Sequence, residues 1–472
     1  MATRMDVKDR GDSADQARLA AVPLRVADPE RIPSKRYYDQ AFFDLEREKL
    51  WPHVWQMACR LEEIPEVGDY VEYRLFDKSV IVVRSKTGVK AFHNACRHRG
   101  VQLVSERGNC KTRGFICPFH GWRWNSEGEN TFVFGKQIFS EEVLDKAELN
   151  LVPCRLETWG GHAFINFDDD APGLMESLGP VTKKLDDRNV EKLKMEWWYA
   201  TVLPTNWKLA MEAFMEGYHV MRTHPQLHQQ MMPEINPYGP DLGAKGGETR
   251  TTPRQFVEKT LKFFATNGEG MAGMILKSEV EIAEQQRDME LPDDLFQAMG
   301  AFYTRVKDAI YEDGKARGLP VFDMNKADAE NGFTYVEFMF PHYFLLPFFS
   351  AMSSYRIRPL TPETCLFEIW SLAPMADNDD RERVTQPIVL PYDSADFPEI
   401  PRQDYSNLPI QQRGLHAEGF DYMRLSNQKE GMISNYQRLI DGYLAELDPE
   451  KLARASQVVN SGFDAPILDI GF

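Results

Sequence analysis

Cys96-Arg97-His98 and, after residues 99–116, Cys117-Pro118-Phe119-His120 each set one thiol and one imidazole within a few residues of each other. If the four side chains serve one metal group, two loops must meet, and that requirement limits the fold more than any other feature. Two thiolates with two imidazoles match the ligand set of a 2Fe-2S cluster in which histidines replace cysteines on one iron. That exchange raises the reduction potential and makes the cluster a usable electron carrier. A zinc site is the competing reading, but zinc spacings usually pair cysteine with cysteine and histidine with histidine. Pro118 and Gly121 suit tight ligand turns whose amides point at the sulfurs. The other cysteines, Cys59, Cys110, Cys154 and Cys365, lie in a long chain with no secretory signal, where a disulfide framework is not expected.

These loops resemble those of the Rieske-type non-haem iron oxygenases, large (α) subunit, and the resemblance runs from the Trp51 region to the final helix. Respiratory-chain Rieske proteins carry an added cysteine beside each half. Here those positions hold Val101 and Phe119, which points away from that branch. The resemblance implies an α+β chain: a Rieske-type antiparallel β domain followed by a catalytic helix-grip (START/Bet v1-like) domain with an antiparallel sheet and long helices. The expected division is 1–44 as an N-terminal segment packing on the catalytic domain, 45–168 as the 2Fe-2S domain and 169–472 as the mononuclear-iron domain.

A second constellation lies in Glu212–Pro225, EAFMEGYHVMRTHP. Glu216, His219 and His224 interrupt an otherwise largely apolar run, and burying them without partners would be costly. On a straight helix the five-residue step between the histidines turns about 500°, so their rings would point about 140° apart. Both reach one metal only if the helix bends or ends between them, and Pro225 disfavours helical geometry at His224. A solvated Glu216–His219 helix pair is the alternative, and His228 is a rival ligand. The family resemblance implies that His219 and His224 bind Fe2+ and that Asp404, in PRQDYSNLPIQQRGL, is the third ligand of a facial triad. Asp421 and Asp441 are the fallbacks. It also implies that Glu216 is the bridging carboxylate between metal centres. Glu216 would bond His219 and, across a subunit boundary, the second cluster histidine, His120; the family usually has Asp there.

Strand patterns occur in GDYVEYRLF, KSVIVVRS, GVKAFHNAC and GGHAFINFDDD, and again in FTYVEFMFPHYFLLPFF, SYRIRPL and TCLFEIWSLAP. Helical patterns occur around PTNWKLAMEAFMEGYHVMRTHP, in RQFVEKTLKFFA and LPDDLFQAMGAFYTRVKDAIYEDG, and in SNQKEGMISNYQRLIDGYLAEL. Met231–Pro253 reads as a loop. Met231, Met232, Met271, Met274, Phe263, Phe264 and Phe302 are either pocket lining or, by ordinary expectation, helix core.

Lys+Arg 55 against Asp+Glu 72 gives a net charge of −17, which opposes nucleic-acid binding. No run of about 18 uncharged apolar residues suggests a membrane span, and the expected location is cytoplasmic. Within Cys96–Trp124, Arg97, Arg99, Arg107, Lys111, Arg113 and Arg123 face one acid, Glu106, and form a basic island suited to an acidic electron donor.

The resemblance implies a terminal oxygenase with one Rieske 2Fe-2S cluster and one mononuclear Fe2+. Electrons would come from NAD(P)H through a ferredoxin and/or reductase to a homotrimer, with or without a β subunit. It would hydroxylate an apolar aromatic or polycyclic substrate with O2. The alternatives are a monooxygenase or O- or N-demethylase acting on a non-aromatic or methoxy substrate, and an electron-transfer protein with a binding domain.

Overall fold

The computed structural model describes residues 13–230, 232, 234, 251–271, 273–376 and 378–472. Met231 and most of the expected Met231–Pro253 loop lie outside the described residues, as does the start of the polar lead-in. The chain divides into two compact units, Arg47–Met175 and a second formed by Met1–Glu46 with Glu176–Phe472. Helix α1 (Gln40–Lys49) crosses from one to the other.

The Arg47–Met175 unit is built from short strands: β1 (Gln56–Arg60), β2 (Asp69–Leu75), β3 (Lys78–Ser85), β4 (Gly88–His93), β5 (Arg107–Asn109), β6 (Phe115–Ile116), β7 (Arg123–Trp124), β8 (Asn130–Phe132), β9 (Arg155–Trp159) and β10 (His162–Asn166). They form three antiparallel sheets, ordered β4-β3-β2-β5, β9-β10-β1 and β6-β7-β8. Ile81, Val83, Phe92, Phe115, Trp122 and Trp124 form a core that also takes in Cys96 and Cys117. Both cysteine-bearing loops are therefore anchored on the apolar centre of the unit.

The second unit centres on a six-stranded sheet of β11 (Leu193–Leu203), β12 (Glu337–Met339), β13 (Tyr343–Pro347), β14 (Met352–Thr361), β15 (Thr364–Pro374) and β16 (Ile388–Val389). The order is β12-β13-β14-β15-β11-β16, antiparallel except for the β11–β16 pair. The sequence reading has no strand at β11, the longest partner of β15. A bulge between Met195 and Trp197 explains the omission: Met195 and Trp198 are both buried, so the two-residue alternation changes phase within the strand.

The helices of this unit include α2 (Trp207–Glu212), α3 (Val220–Thr223), α4 (Pro225–His228), α5 (Pro253–Gly270), α6 (Leu295–Ala316), α7 (Glu399–Gly414), α8 (Gly431–Leu444) and α9 (Pro449–Asn460). The helical stretch expected around 204–225 is interrupted, with Ala213–His219 lying between α2 and α3. Phe264 and Phe302 are fully buried, and Phe264 packs on Phe348 and Phe349, as helix core does. Among the described residues, no helix is long and apolar enough to cross a membrane.

The N-terminal segment reaches the buried polar faces of α2 and α8. Lys208 Nζ and Glu46 Oε1 lie 2.8 Å apart with both side chains fully buried, and Trp207 Nε1 donates to Glu46 Oε2. Tyr37 donates to Glu212, and Arg36 donates to Gln437 Oε1 and Asp441 Oδ1. Removing one member of a buried ion pair strands the other without water. We therefore expect Glu46→Gln or Lys208→Met alone to cost about 3–5 kcal/mol of stability, and the double replacement to recover most of it, measured by denaturant midpoints.

Candidate active site

The two halves of the Cys/His constellation fold alike. In the first, Cys96 N–H donates to Val101 O and Gly100 N–H to Cys96 O; in the second, Cys117 N–H donates to Trp122 O and Gly121 N–H to Cys117 O. Gly100 (φ +76°) and Gly121 (φ +70°) turn each loop through the left-handed region, where any other residue is strained. The result brings His98 Nδ1 within 3.1 Å of His120 Nδ1. Burial first of all pushes the Cys96 thiol up, and the nearby Cys117 adds to the rise. Burial, His120 and Arg99 together hold His98 toward its neutral form. His98 stacks on Trp122, with ring centroids 4.7 Å apart. Two buried thiols and two imidazoles whose Nδ1 atoms lie 3.1 Å apart are a donor set that fits a Rieske cluster.

In the second unit, α3 ends at His224, which is the interruption between the two histidines that the geometry demanded. His219 stands at the start of α3, and His224 takes φ −117°, ψ 68° just before Pro225. The two rings are 5.4 Å apart. Asp404 comes from α7 and is buried. Its Oδ1 lies 3.1 Å from His224 Nε2 and 3.7 Å from His219 Nε2. One ligand atom from each of the three residues falls within 4.8 Å of the others, a grouping able to hold a metal ion. The fallbacks are elsewhere: Asp441 pairs with Arg36, and Asp421 is exposed. His228 is not part of the grouping.

Glu216 spans one ligand. Its Oε1 lies 2.8 Å from His219 Nδ1 and its Oε2 accepts from the His219 backbone N–H at 2.9 Å. Burial pulls the His219 imidazole down, but the Glu216 carboxylate outweighs it and Asp404 adds to the rise, so its pKa ends above the ordinary value. The second ligand has a partner that sequence reasoning missed: His224 Nδ1 lies 2.6 Å from Gln403 Oε1. Position next to Asp404 was the available signal. Gln412, two turns further along α7, accepts from Asn206 N–H at 2.8 Å and donates to Tyr37 O at 3.1 Å. Asn206 in turn caps α2 through its bond to Lys208 N–H. Thus α7 is fastened both to the ligand segment and to the helix that precedes it.

The sequence model of the ring hydroxylating alpha subunit (catalytic domain) matches residues 188–446, and that of the Rieske [2Fe-2S] domain matches residues 54–133. The chain belongs to the ring-hydroxylating oxygenase α-subunit family. Its relatives include the 2-aminobenzenesulfonate 2,3-dioxygenase subunit alpha of an Alcaligenes species, 35% identical over 201 residues (42% of this chain, 50% of the relative). The glycine betaine monooxygenase oxygenase subunit of Pseudomonas aeruginosa is 31% identical over 226 residues (47% and 52%). These alignments span about half the length of the curated relatives. A naphthalene 1,2-dioxygenase solved with indole in its active site has the same fold, with TM-score 0.60 and 20% identity over 92% of this chain and 96% of that one. The Rieske domain and the mixed helix and antiparallel-sheet catalytic domain of this ring-hydroxylating oxygenase α subunit agree with the fold class expected from the motifs.

Replacing Asp404 with Ala removes one of three ligand side chains. Metal analysis of the purified full chain is expected to fall from about three irons to about two, with the cluster absorption retained. Glu216→Gln keeps an oxygen for His219 Nδ1 and is expected to retain the third iron.

Proposed function

We propose that the protein is the terminal oxygenase component of a multicomponent Rieske non-haem iron system. The convergence of His219 Nε2, His224 Nε2 and Asp404 Oδ1 supports this reading most directly. When bound, the cluster supplies electrons one at a time and the mononuclear iron supplies the activation of dioxygen. Cys96, His98, Cys117 and His120 would hold the cluster, and His219, His224 and Asp404 the iron. Glu216 holds the His219 ring by Nδ1, and in a trimer its carboxylate would meet His120 of a neighbouring copy. A homotrimer is thus the assembly in which both centres serve one reaction.

The substrate reading moves from an apolar polycycle toward a small charged molecule. The named relatives act on an aminobenzenesulfonate and on glycine betaine. Of the rings near the ligand segments, Phe344, Tyr355, Tyr405 and Phe367 are fully buried core, and Phe214 is half-buried. Phe214, five residues before His219, packs 4.6 Å from Phe344 and 4.9 Å from Tyr355; Tyr405, beside Asp404, packs 5.1 Å from Phe367. From the relatives, N-methyl hydroxylation of a quaternary ammonium compound is the first reading, and ring hydroxylation the second. Incubating the protein with a general ferredoxin–reductase pair, NADH, oxygen and three probes tests this: glycine betaine, 2-aminobenzenesulfonate and naphthalene. Product from glycine betaine supports the first reading. Product from a ring compound alone supports the second, and an iron content of about two per chain overturns both.

For the electron donor, Arg97, Arg99, Lys111, Arg113 and Arg123 are exposed, whereas Arg107 is half-buried and paired with Glu63. The basic island is thus narrower than the sequence suggests. Reversing Lys111 and Arg113 to Glu is expected to slow cluster reduction by an acidic donor about tenfold at low salt, measured by stopped-flow bleaching, with the difference shrinking as salt rises.

A further inference from the structure

His224 is followed by Pro225 and Gln226, and Asp404 is preceded by Gln403, so each of two metal-site segments carries a glutamine beside its ligand. The two amides bond reciprocally: Gln226 Nε2 donates to Gln403 Oε1 at 2.8 Å, and Gln403 Nε2 donates to Gln226 Oε1 at 3.3 Å. Gln403 Oε1 also takes the His224 Nδ1 contact at 2.6 Å. An amide oxygen accepts and never donates, so the proton of His224 belongs on Nδ1 and the lone pair on Nε2, which faces Asp404 at 3.1 Å. Flipping one amide would set like groups against each other. Flipping both would place a nitrogen donor against Nδ1 and move the proton to Nε2, closing that atom to a metal. The pair also ties α4 to α7 across 177 positions of sequence.

We propose that Gln403 and Gln226 form a neutral clamp that sets the His224 tautomer and holds it against Asp404 before iron arrives. Gln403 is a positioning residue, with Gln226 orienting it. The clamp rests on the reading of His219, His224 and Asp404 as an iron site. The two ligand histidines are then supported differently, His219 by the carboxylate of Glu216 and His224 by an amide that adds no charge. Outer partners of this kind typically govern metal affinity by about 10–100-fold.

Fe(II) binding measured by equilibrium dialysis tests the clamp, using the full chain with its cluster intact and its mononuclear iron removed by chelation. Gln403→Leu is expected to weaken Fe(II) binding by about 10–100-fold. Gln403→Glu, which keeps an acceptor for Nδ1–H, is expected to restore it, and Gln226→Leu to lie between wild type and Gln403→Leu. Thermal midpoints and cluster spectra monitor folding, and Gln226→Leu serves as the test if Gln403→Leu fails to fold. Wild-type affinity in Gln403→Leu, or a loss in Gln403→Glu as large as in Gln403→Leu, overturns the clamp. In Gln226→Leu, undiminished affinity does the same. A wild-type chain that takes up no Fe(II) beyond its cluster overturns the iron-site reading instead.

Discussion

His219 and His224 each have one ring nitrogen already engaged, His219 by Glu216 and His224 by Gln403. Everything at the site depends on that occupation. An imidazole with a bonded Nδ1 has one orientation and one free nitrogen, and both free nitrogens face the same oxygen of Asp404. Without these partners each ring would sample rotamers and both tautomers, and three groups from two distant segments would meet only occasionally. Binding a metal then requires little reorganisation, because the ordering has been done by the fold.

That ordering is inherited from a polar scaffold buried around α2. Asn206 caps the helix and is itself bonded to Gln412; Lys208 pairs with Glu46; Glu212 accepts from Tyr37 and Gln437. Burial first of all raises the Glu212 carboxyl to about 7, with its hydrogen bonds and nearby cations opposing the rise. Burying so many polar groups contributes little net stability, since desolvation offsets much of the attraction. What it provides is uniqueness of position. Any rotation of α2 would leave several of these groups without partners, so the helix that leads into Glu216 and His219 has one seat on the sheet.

The cluster loops solve the corresponding problem with backbone alone. Two turns of the same hydrogen-bond pattern, each closed by a glycine at positive φ, rise from a common apolar core and present one cysteine and one histidine apiece. Rigid turns suit a group that exchanges single electrons, because small changes in ligand position mean small reorganisation on reduction. Phe119, which stands where a respiratory Rieske protein has cysteine, is 57% exposed and lies over the His120 ring, 4.0 Å between centroids. Trp122 stacks on His98 and Phe119 lies tilted against His120, so an aromatic ring braces each histidine.

The sequence by itself determined the chemistry. Cys96, His98, Cys117 and His120 could be proposed because metal ligands come in few residue types at short spacings; His219 and His224 were implied by the family resemblance, with Pro225 disfavouring the straight helix that would separate them. The strands β2–β4, β10 and β12–β15 were legible from alternation; the short β1, β5–β9 and β16 were not, and β11 was not because a bulge reverses its phase midway. Tertiary structure decided what lies far apart in the chain. It chose Asp404 over Asp421 and Asp441, since only folding shows that Asp441 is consumed by Arg36. It put Asp404 on a helix, and it introduced Gln403, whose role exists only opposite His224, 179 positions away. Local spacing carries the identity of a ligand; partnership across the fold is a matter of distance in space, and linear order does not encode that distance.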